Sequence, residues 1–149
     1  MRRRLAILAT AIWIATPASS AFGHHNHQAY YDLCQSVTVE GRVERVEFKD
    51  PHALIVVRQD DGTAYAVDWM TLGNLTRSLV LGPAKQALIP GARVTVVGAP
   101  IRTAAEIRER LPDFTREVNP RTIDARLIRA GDGFSWTARP LDPAICQGK

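Results

Sequence analysis

Residues 36–69 read SVTVEGRVERVEFKDPHALIVVRQDDGTAYAVDW, and this stretch decides the fold. Apolar and polar residues alternate through its first third, which predicts a long β-strand over 36–48. Gly41 falls where the alternation shifts by one residue, so we expect a bend or bulge there. Asp50-Pro51 ends the strand, because proline cannot donate a hydrogen bond to a neighbouring strand.

The remainder of this stretch predicts a β-hairpin. A β-branched apolar run at 53–58 and an alternating run at 64–69 flank Asp60-Asp61-Gly62-Thr63. Asp and Gly favour a tight turn, so the two runs are expected to pair as the second and third strands.

Residues 71–88 predict helix rather than strand, since their leucines recur at helical spacing. We expect one short helix here, with Asn74 as a candidate N-cap and Gly82-Pro83 as its end. A further helical turn is possible over 84–88. Pro90-Gly91 then introduces a fourth strand over 92–97.

The stretch 103–119 is rich in charge and predicts an inserted helix near 103–112. Thr103 and Glu106 have the spacing of a capping box, Glu106 and Arg110 are spaced to pair on one helix face, and Pro112 ends the helix. The insertion is either a solvated surface element or an element that acts as a lid or docking site. Alternation resumes over 121–129, and 134–137 can add a short sixth strand.

This element order predicts a mainly β protein. Five strands with a helix between the third and fourth are typical of the oligonucleotide/oligosaccharide-binding (OB) fold, a small Greek-key barrel. We therefore expect one OB-like barrel of five to six strands over residues 24–149. The length and the 46% hydrophobic content fit a single globular domain.

Residues 1–23 are expected to be a cleaved signal peptide. Three arginines precede an apolar run at 5–15 that is too short to span a bilayer, and small residues follow Pro17. Cleavage after Ala21 or after Gly23 fits equally well. Removing the leader reduces the net charge from +4 to +1, since 16 basic and 15 acidic residues remain. We therefore expect a periplasmic or secreted protein with no membrane span after cleavage and no nucleic-acid partner.

Cys34 and Cys146 are the two cysteines, near opposite ends of the mature chain. In an oxidising compartment such a pair predicts a disulfide rather than two reactive thiols. No CxxC motif supports a redox role.

Several motifs together resemble the DUF6152 family of small exported bacterial proteins of unknown function. They are His24-His25-Asn26-His27, Tyr31-Asp32, the strand pattern V-x-G-x-V-x-x-V-x-F, Asp50-Pro51-His52-Ala53, an aromatic-rich third strand, Gly73-Asn74-Leu75 and Pro90-Gly91 through Gly98. The resemblance spans roughly 23–98. It implies the OB-like fold and export, and it implies no activity. This chain has Asp50 where the family usually has Asn, and its 103–119 stretch is longer than typical.

The histidines are the candidate metal ligands. His24, His25 and His27 cluster at the predicted mature N-terminus, and His52 follows the first strand. Imidazole is a common transition-metal ligand, and copper leads the divalent affinity order. An amino-terminal copper site forms with either cleavage, through His24 as the first residue or as the third. His52 either bonds backbone at the strand entrance or joins these histidines in a metal site.

Aromatic residues suggest a ligand groove. Tyr31, Tyr65 and Trp69, with Asp50 in the loop after the first strand, are the candidate groove residues, and Tyr30 and Trp136 can extend it. Such barrels hold ligands by stacking on aromatic rings, although aromatic residues on short strands also serve as core.

Enzyme signatures are absent from the sequence: it has no phosphate-binding glycine loop, G-x-S-x-G or HExxH motif. We therefore predict a non-enzymatic OB-like module that binds a small ligand or a periplasmic protein and requires no cofactor. The alternative is a periplasmic protein that binds copper or another transition metal through its N-terminal histidines.

Overall fold

Six β-strands form one sheet in a computed structural model that describes residues 27–131 and 133–147. They are β1 (Val37–Glu47), β2 (Leu54–Arg58), β3 (Ala64–Asp68), β4 (Arg93–Pro100), β5 (Thr122–Ala130) and β6 (Phe134–Thr137). The predicted leader over 1–23 lies outside the described residues, as do His24 and His25.

The first five strands close into a barrel. β1 pairs antiparallel with both β2 and β4, β2 pairs with β3, and β4 pairs with β5. A short parallel pairing between β3 and β5 closes the circle, and β6 extends the sheet beyond β5. The resulting order, β1-β2-β3-β5-β4, is that of an OB barrel, so the predicted mainly β, OB-like fold is confirmed.

Short helices lie between the strands and at both ends of the described chain. They are α1 (His27–Tyr30), α2 (Leu72–Arg77), α3 (Leu81–Ala87) and α4 (Ala104–Arg110), with a 3-10 helix at Pro143–Cys146. Within the described residues, no helix has the length and apolarity that crossing a membrane requires.

The connection between β3 and β4 holds two helices, where the sequence predicted one helix and allowed a further turn over 84–88; that turn is part of α3, which begins earlier, at Leu81. Thr71, not Asn74, caps α2, because its hydroxyl accepts a hydrogen bond from the Asn74 backbone N–H at 3.1 Å. α2 ends before Leu79, whose φ of 58° interrupts the helix. Gly82-Pro83 lies inside the first turn of α3, where the missing proline N–H breaks no helical hydrogen bond.

α4 forms in the charged insertion with its predicted capping box. The Thr103 hydroxyl accepts from the Glu106 backbone N–H, and the Glu106 carboxylate accepts from the Thr103 N–H. The predicted pairing of Glu106 with Arg110 takes another form, since the Arg110 guanidinium donates to the Glu106 backbone oxygen at 2.9 Å. The Glu106 carboxylate is already engaged in the cap.

Alternating residues of the strands fill the barrel. Val39, Ile55, Val67, Val96 and Ile128 are each fully buried in one cluster, which Leu75 of α2 and Ala84 of α3 close from the side. The spacing of two along each strand sends these side chains to one face, as the alternation in the sequence predicts.

Gly41 lies at a close approach of two backbones. An ideal Cβ placed at Gly41 would lie 2.3 Å from the backbone oxygen of Arg58. The register shift in the β1–β2 pairing falls between Val43 and Arg45 instead. Of the bend or bulge predicted at Gly41, the bulge lies at another position, and the glycine is needed because no side chain fits between β1 and the end of β2.

We expect Gly41→Ala to lower the free energy of unfolding by about 2–3 kcal/mol, because the methyl group must displace backbone rather than a flexible side chain. Gly73→Ala in α2 is the matched control, since nothing lies within 4 Å of its Cβ position. Alanine there should stabilise the protein by about 0.5–1 kcal/mol through its helix propensity. Urea unfolding curves measure both changes, and equal effects at the two sites would contradict the close approach.

The predicted disulfide is confirmed. Cys34 and Cys146 are bonded, with Cα atoms 5.6 Å apart and a sequence separation of 112. Next to the bond, Leu33, Tyr31 and Ala99 form a second small core against which Leu141 and Ile145 pack. The bond therefore holds the C-terminal segment against the chain that precedes β1.

Candidate functional site

Two aspartates meet where the barrel closes. The parallel register pairs Asp68 of β3 with Asp124 of β5, and we call this pairing the barrel seam. Val67 and Ile123, one position earlier on each strand, face the core, so alternation turns both aspartates to the other face. Like charges on neighbouring strands repel, so this arrangement requires donors or cations beside both carboxylates.

Asp68 accepts hydrogen bonds from two side chains. Nδ1 of His52 lies 3.2 Å from each carboxylate oxygen of Asp68, and the Tyr31 hydroxyl donates to Oδ2 at 2.9 Å. Burial, and then the Asp68 charge, raise the pKa of Tyr31, so the phenol remains a proton donor. His52 thus bonds a carboxylate, where the sequence left backbone or a metal as alternatives.

Asp124 is bound by His27. Nδ1 of His27 lies 3.0 Å from Oδ2 of Asp124. The hydrogen bond to Asp124 raises the pKa of His27, burial opposes the rise, and the charges of Asp124 and Asp68 add to it. His27 therefore stays protonated to a higher pH than an isolated histidine does, and its positive charge offsets the negative charge of the carboxylates at the seam.

The chain that carries His27 is fixed along the end of β4. Tyr31 forms a β-bridge with Ile101, and the buried guanidinium of Arg102 lies 3.5 Å from the Asp32 carboxylate. These contacts hold α1 against the seam and bring His27 to Asp124.

The two histidines face each other, although 25 positions separate them in the sequence. Their ring centres are 5.6 Å apart, with an angle of 35° between the planes. We call His27 and His52 the histidine pair. Among the described residues, no group of three or more His, Cys, Asp or Glu side chains is arranged to hold a metal ion. The other two predicted ligands, His24 and His25, lie outside those residues.

A cleft of about 560 Å³ opens beside the histidine pair. Trp69 and Trp136 form its aromatic wall, with ring centres 5.4 Å apart in an edge-to-face contact. We call it the seam cleft. Its lining also includes the histidine pair, Asp124, Arg77 and Arg139.

The predicted groove residues are dispersed. Trp69 lines the seam cleft, whereas Tyr31 is not among its lining residues and donates its hydroxyl hydrogen bond to Asp68. Asp50 accepts a hydrogen bond from the Leu72 backbone N–H at the start of α2. Tyr65 packs against the core and is not among the residues that line the seam cleft.

Asp68 and Asp124 are site residues that sequence reasoning missed. Each is a single acidic residue on a strand next to a buried apolar one, a pattern that also fits an ordinary solvent-facing aspartate. Their importance comes from the β3–β5 pairing. Gly98 of β4 allows β5 to approach closely at Asp124, since an ideal Cβ at Gly98 would lie 2.6 Å from the Asp124 backbone oxygen.

We expect Asp124→Asn to lower the pKa of His27, because the substitution removes the hydrogen bond and charge that raise it and leaves the opposing burial. An NMR titration of the imidazole protons in metal-free protein measures the shift. Asp60→Asn is the matched control, since Asp60 is exposed and pairs with Arg93. An unchanged His27 pKa in Asp124→Asn would contradict the contact.

Comparison with known proteins adds a family and a distant structural likeness. The model of the family of unknown function DUF6152 matches residues 11–108. A comparison with curated proteins finds no match. A chain of the S. pombe Stn1–Ten1 complex, from a crystal structure, aligns with a TM-score of 0.43 and 13% identity, covering 66% of this chain and 59% of that chain. Because the family model covers more than half of its residues, the chain belongs to the DUF6152 family.

Proposed function

We propose that the protein is an exported, non-enzymatic OB-like module that binds a small ligand in the seam cleft. The observation that carries this proposal is an aromatic wall and several polar side chains converging on one concave space of about 560 Å³. Small-molecule sites have volumes of about 300–1,000 Å³ and combine apolar walls with a few placed polar groups. A concave site of this size favours a small molecule over a protein partner.

Two features support export. The N-terminal stretch has the basic start, apolar run and small residues of a signal peptide. The disulfide between Cys34 and Cys146 fits an oxidising compartment such as the periplasm.

The charges around the seam cleft indicate the ligand class. Asp68 and Asp124 are already bound by Tyr31 and the histidine pair. Arg77 and Arg139 remain as cations of the lining, and both are exposed. A planar ligand with an acidic group would stack on Trp136 of the aromatic wall, and its acidic group would accept hydrogen bonds from the arginines.

Tryptophan fluorescence tests the proposal with little interference. Of the three tryptophans, Trp69 and Trp136 line the cleft, and Trp13 lies in the predicted leader. Titration with benzoate, the simplest planar carboxylate, should change the emission, whereas neutral benzyl alcohol should bind more weakly.

Arg139→Ala should weaken benzoate binding by about tenfold, the value of one hydrogen bond to a charged group. Arg93→Ala is the matched control, because Arg93 is an exposed arginine that pairs with Asp60 and does not line the cleft. Equal losses in the two variants, or equal binding of benzyl alcohol, would refute a cleft specific for small planar acids.

A further inference from the structure

We infer that the histidine pair binds a transition-metal ion, with Nε2 of His27 and Nε2 of His52 as the protein ligands. The inference goes beyond the proposed function, because it depends on the two imidazoles and the carboxylates behind them and requires no organic ligand. It also separates these two histidines from His24 and His25, which the sequence alone groups with His27.

Each imidazole ring is oriented by a carboxylate at its Nδ1. Nδ1 of His27 contacts Asp124, and Nδ1 of His52 contacts Asp68. A carboxylate at Nδ1 favours the tautomer with the proton on that nitrogen, which places the lone pair on Nε2. Histidines that bind metals almost always donate their other N–H in this way to a carboxylate, carbonyl or water.

The separation of the two rings fits a shared metal ion. With a metal–nitrogen bond of about 2.0–2.1 Å, each ring centre would lie about 3.2 Å from the ion. Two such rings at a tetrahedral angle would then have centres about 5.2 Å apart, and a wider angle of about 120° gives about 5.5 Å. The observed separation of 5.6 Å is close to these values. The separation of the ring centres is therefore compatible with one shared ion.

The negative charge at the barrel seam also favours a bound cation. Asp68 and Asp124 are register partners at the barrel seam, and their side chains are only 25% and 15% exposed. Two half-buried carboxylates favour a dication nearby, and they orient and polarise the imidazoles that would hold it. Imidazole nitrogen suits copper and zinc, and Cu(II) leads the divalent affinity order. With two protein ligands, the ion would keep positions for water or other donors.

A purely structural role is the competing explanation, in which each histidine only ties its segment to the barrel. That role predicts the same hydrogen bonds, so thermal stability alone cannot separate the two. Metal affinity and the number of coordinated nitrogens do separate them.

The test titrates Cu(II), and in parallel Zn(II), into the purified protein against a competing chelator. His27→Gln and His52→Gln, each introduced into the His24→Gln/His25→Gln background so that the amino-terminal copper site cannot form, should each weaken Cu(II) binding by more than about 100-fold, since even loss of an outer carboxylate costs about 10–100-fold. Asp68→Asn and Asp124→Asn should fall within that smaller range. His27 lies in the short α1 helix outside the barrel, so His27→Gln removes no side chain of the barrel core, and circular dichroism of each variant checks that the fold is kept.

The double variant His24→Gln/His25→Gln is the matched control, with two histidines removed a few positions away. It should retain binding, and the Cu(II) electron paramagnetic resonance spectrum should still show two imidazole nitrogens, falling to one in His52→Gln. Loss of binding in the control, or binding that persists in His27→Gln or His52→Gln, would overturn the inference, and so would a lack of binding in the unmodified protein. Benzoate binding measured on the same samples shows whether the proposed function fails separately.

Discussion

Replacing Cys34 and Cys146 with serine is expected to lower the free energy of unfolding by about 4–5 kcal/mol. The bond spans 112 positions, and in the chain-entropy model closing a loop of about 100 residues in the unfolded chain contributes about 4.7 kcal/mol. The small core of Tyr31, Leu33 and Ala99 should also loosen, because Leu141 and Ile145 would no longer be tethered to it. Urea unfolding of the oxidised protein and the double-serine variant measures the difference.

Reduction provides the control. A thiol reductant should destabilise the unmodified protein by the same amount and leave the double-serine variant unchanged. A loss below about 1 kcal/mol in the variant would contradict the assignment of the bond as a main stabiliser of this fold.

Truncation of Trp69 is expected to produce the second large loss of stability. Trp69→Ala should cost about 3–5 kcal/mol, the usual range for removing a buried aromatic side chain. Trp69 is 2% exposed, and its ring contacts both Trp136 and Phe134 edge to face. The same substitution should remove one wall of the seam cleft, so benzoate binding should fall with stability.

Trp69→Phe separates packing from the indole nitrogen. Among the described residues, Nε1 of Trp69 is the buried side-chain polar atom without a hydrogen-bond partner. An unsatisfied buried donor costs about 1–3 kcal/mol, so its removal should offset much of the lost volume. We expect Trp69→Phe to change stability by about 1 kcal/mol or less. A loss as large as that of Trp69→Ala would show that Nε1 makes a contact that matters.

The strands were predictable because their signals are local. The alternation over 36–48 and the turn at Asp60-Asp61-Gly62-Thr63 placed β1, β2 and β3 within two residues of their observed ends. The capping box of Thr103 and Glu106 placed α4 for the same reason. The errors between β3 and β4 were also local, because Thr71 and Asn74 are both competent caps and Gly82-Pro83 fits the start of a helix as well as the end.

The site was less predictable. His27 and His52 could be nominated by residue type, and the sequence named them together as part of one possible metal site. Their 5.6 Å separation depends on α1 lying along the end of β4 and on the β3–β5 pairing. Tyr65 shows that residue type can also mislead. It is an aromatic residue on the expected strand, yet it packs against the core and not in the cleft.

The sequence by itself determined the mainly β class, the OB-like order of the elements, the two cysteines available for a bond and the candidate histidines. These features follow from residue type and short-range periodicity, which operate over a few positions of chain. Only the tertiary structure decided that Asp68 meets Asp124, because a parallel pairing between β3 and β5 joins residues 56 positions apart in a register that no local pattern encodes. That pairing places a carboxylate behind each histidine, and it thereby turns separate residues into one candidate site.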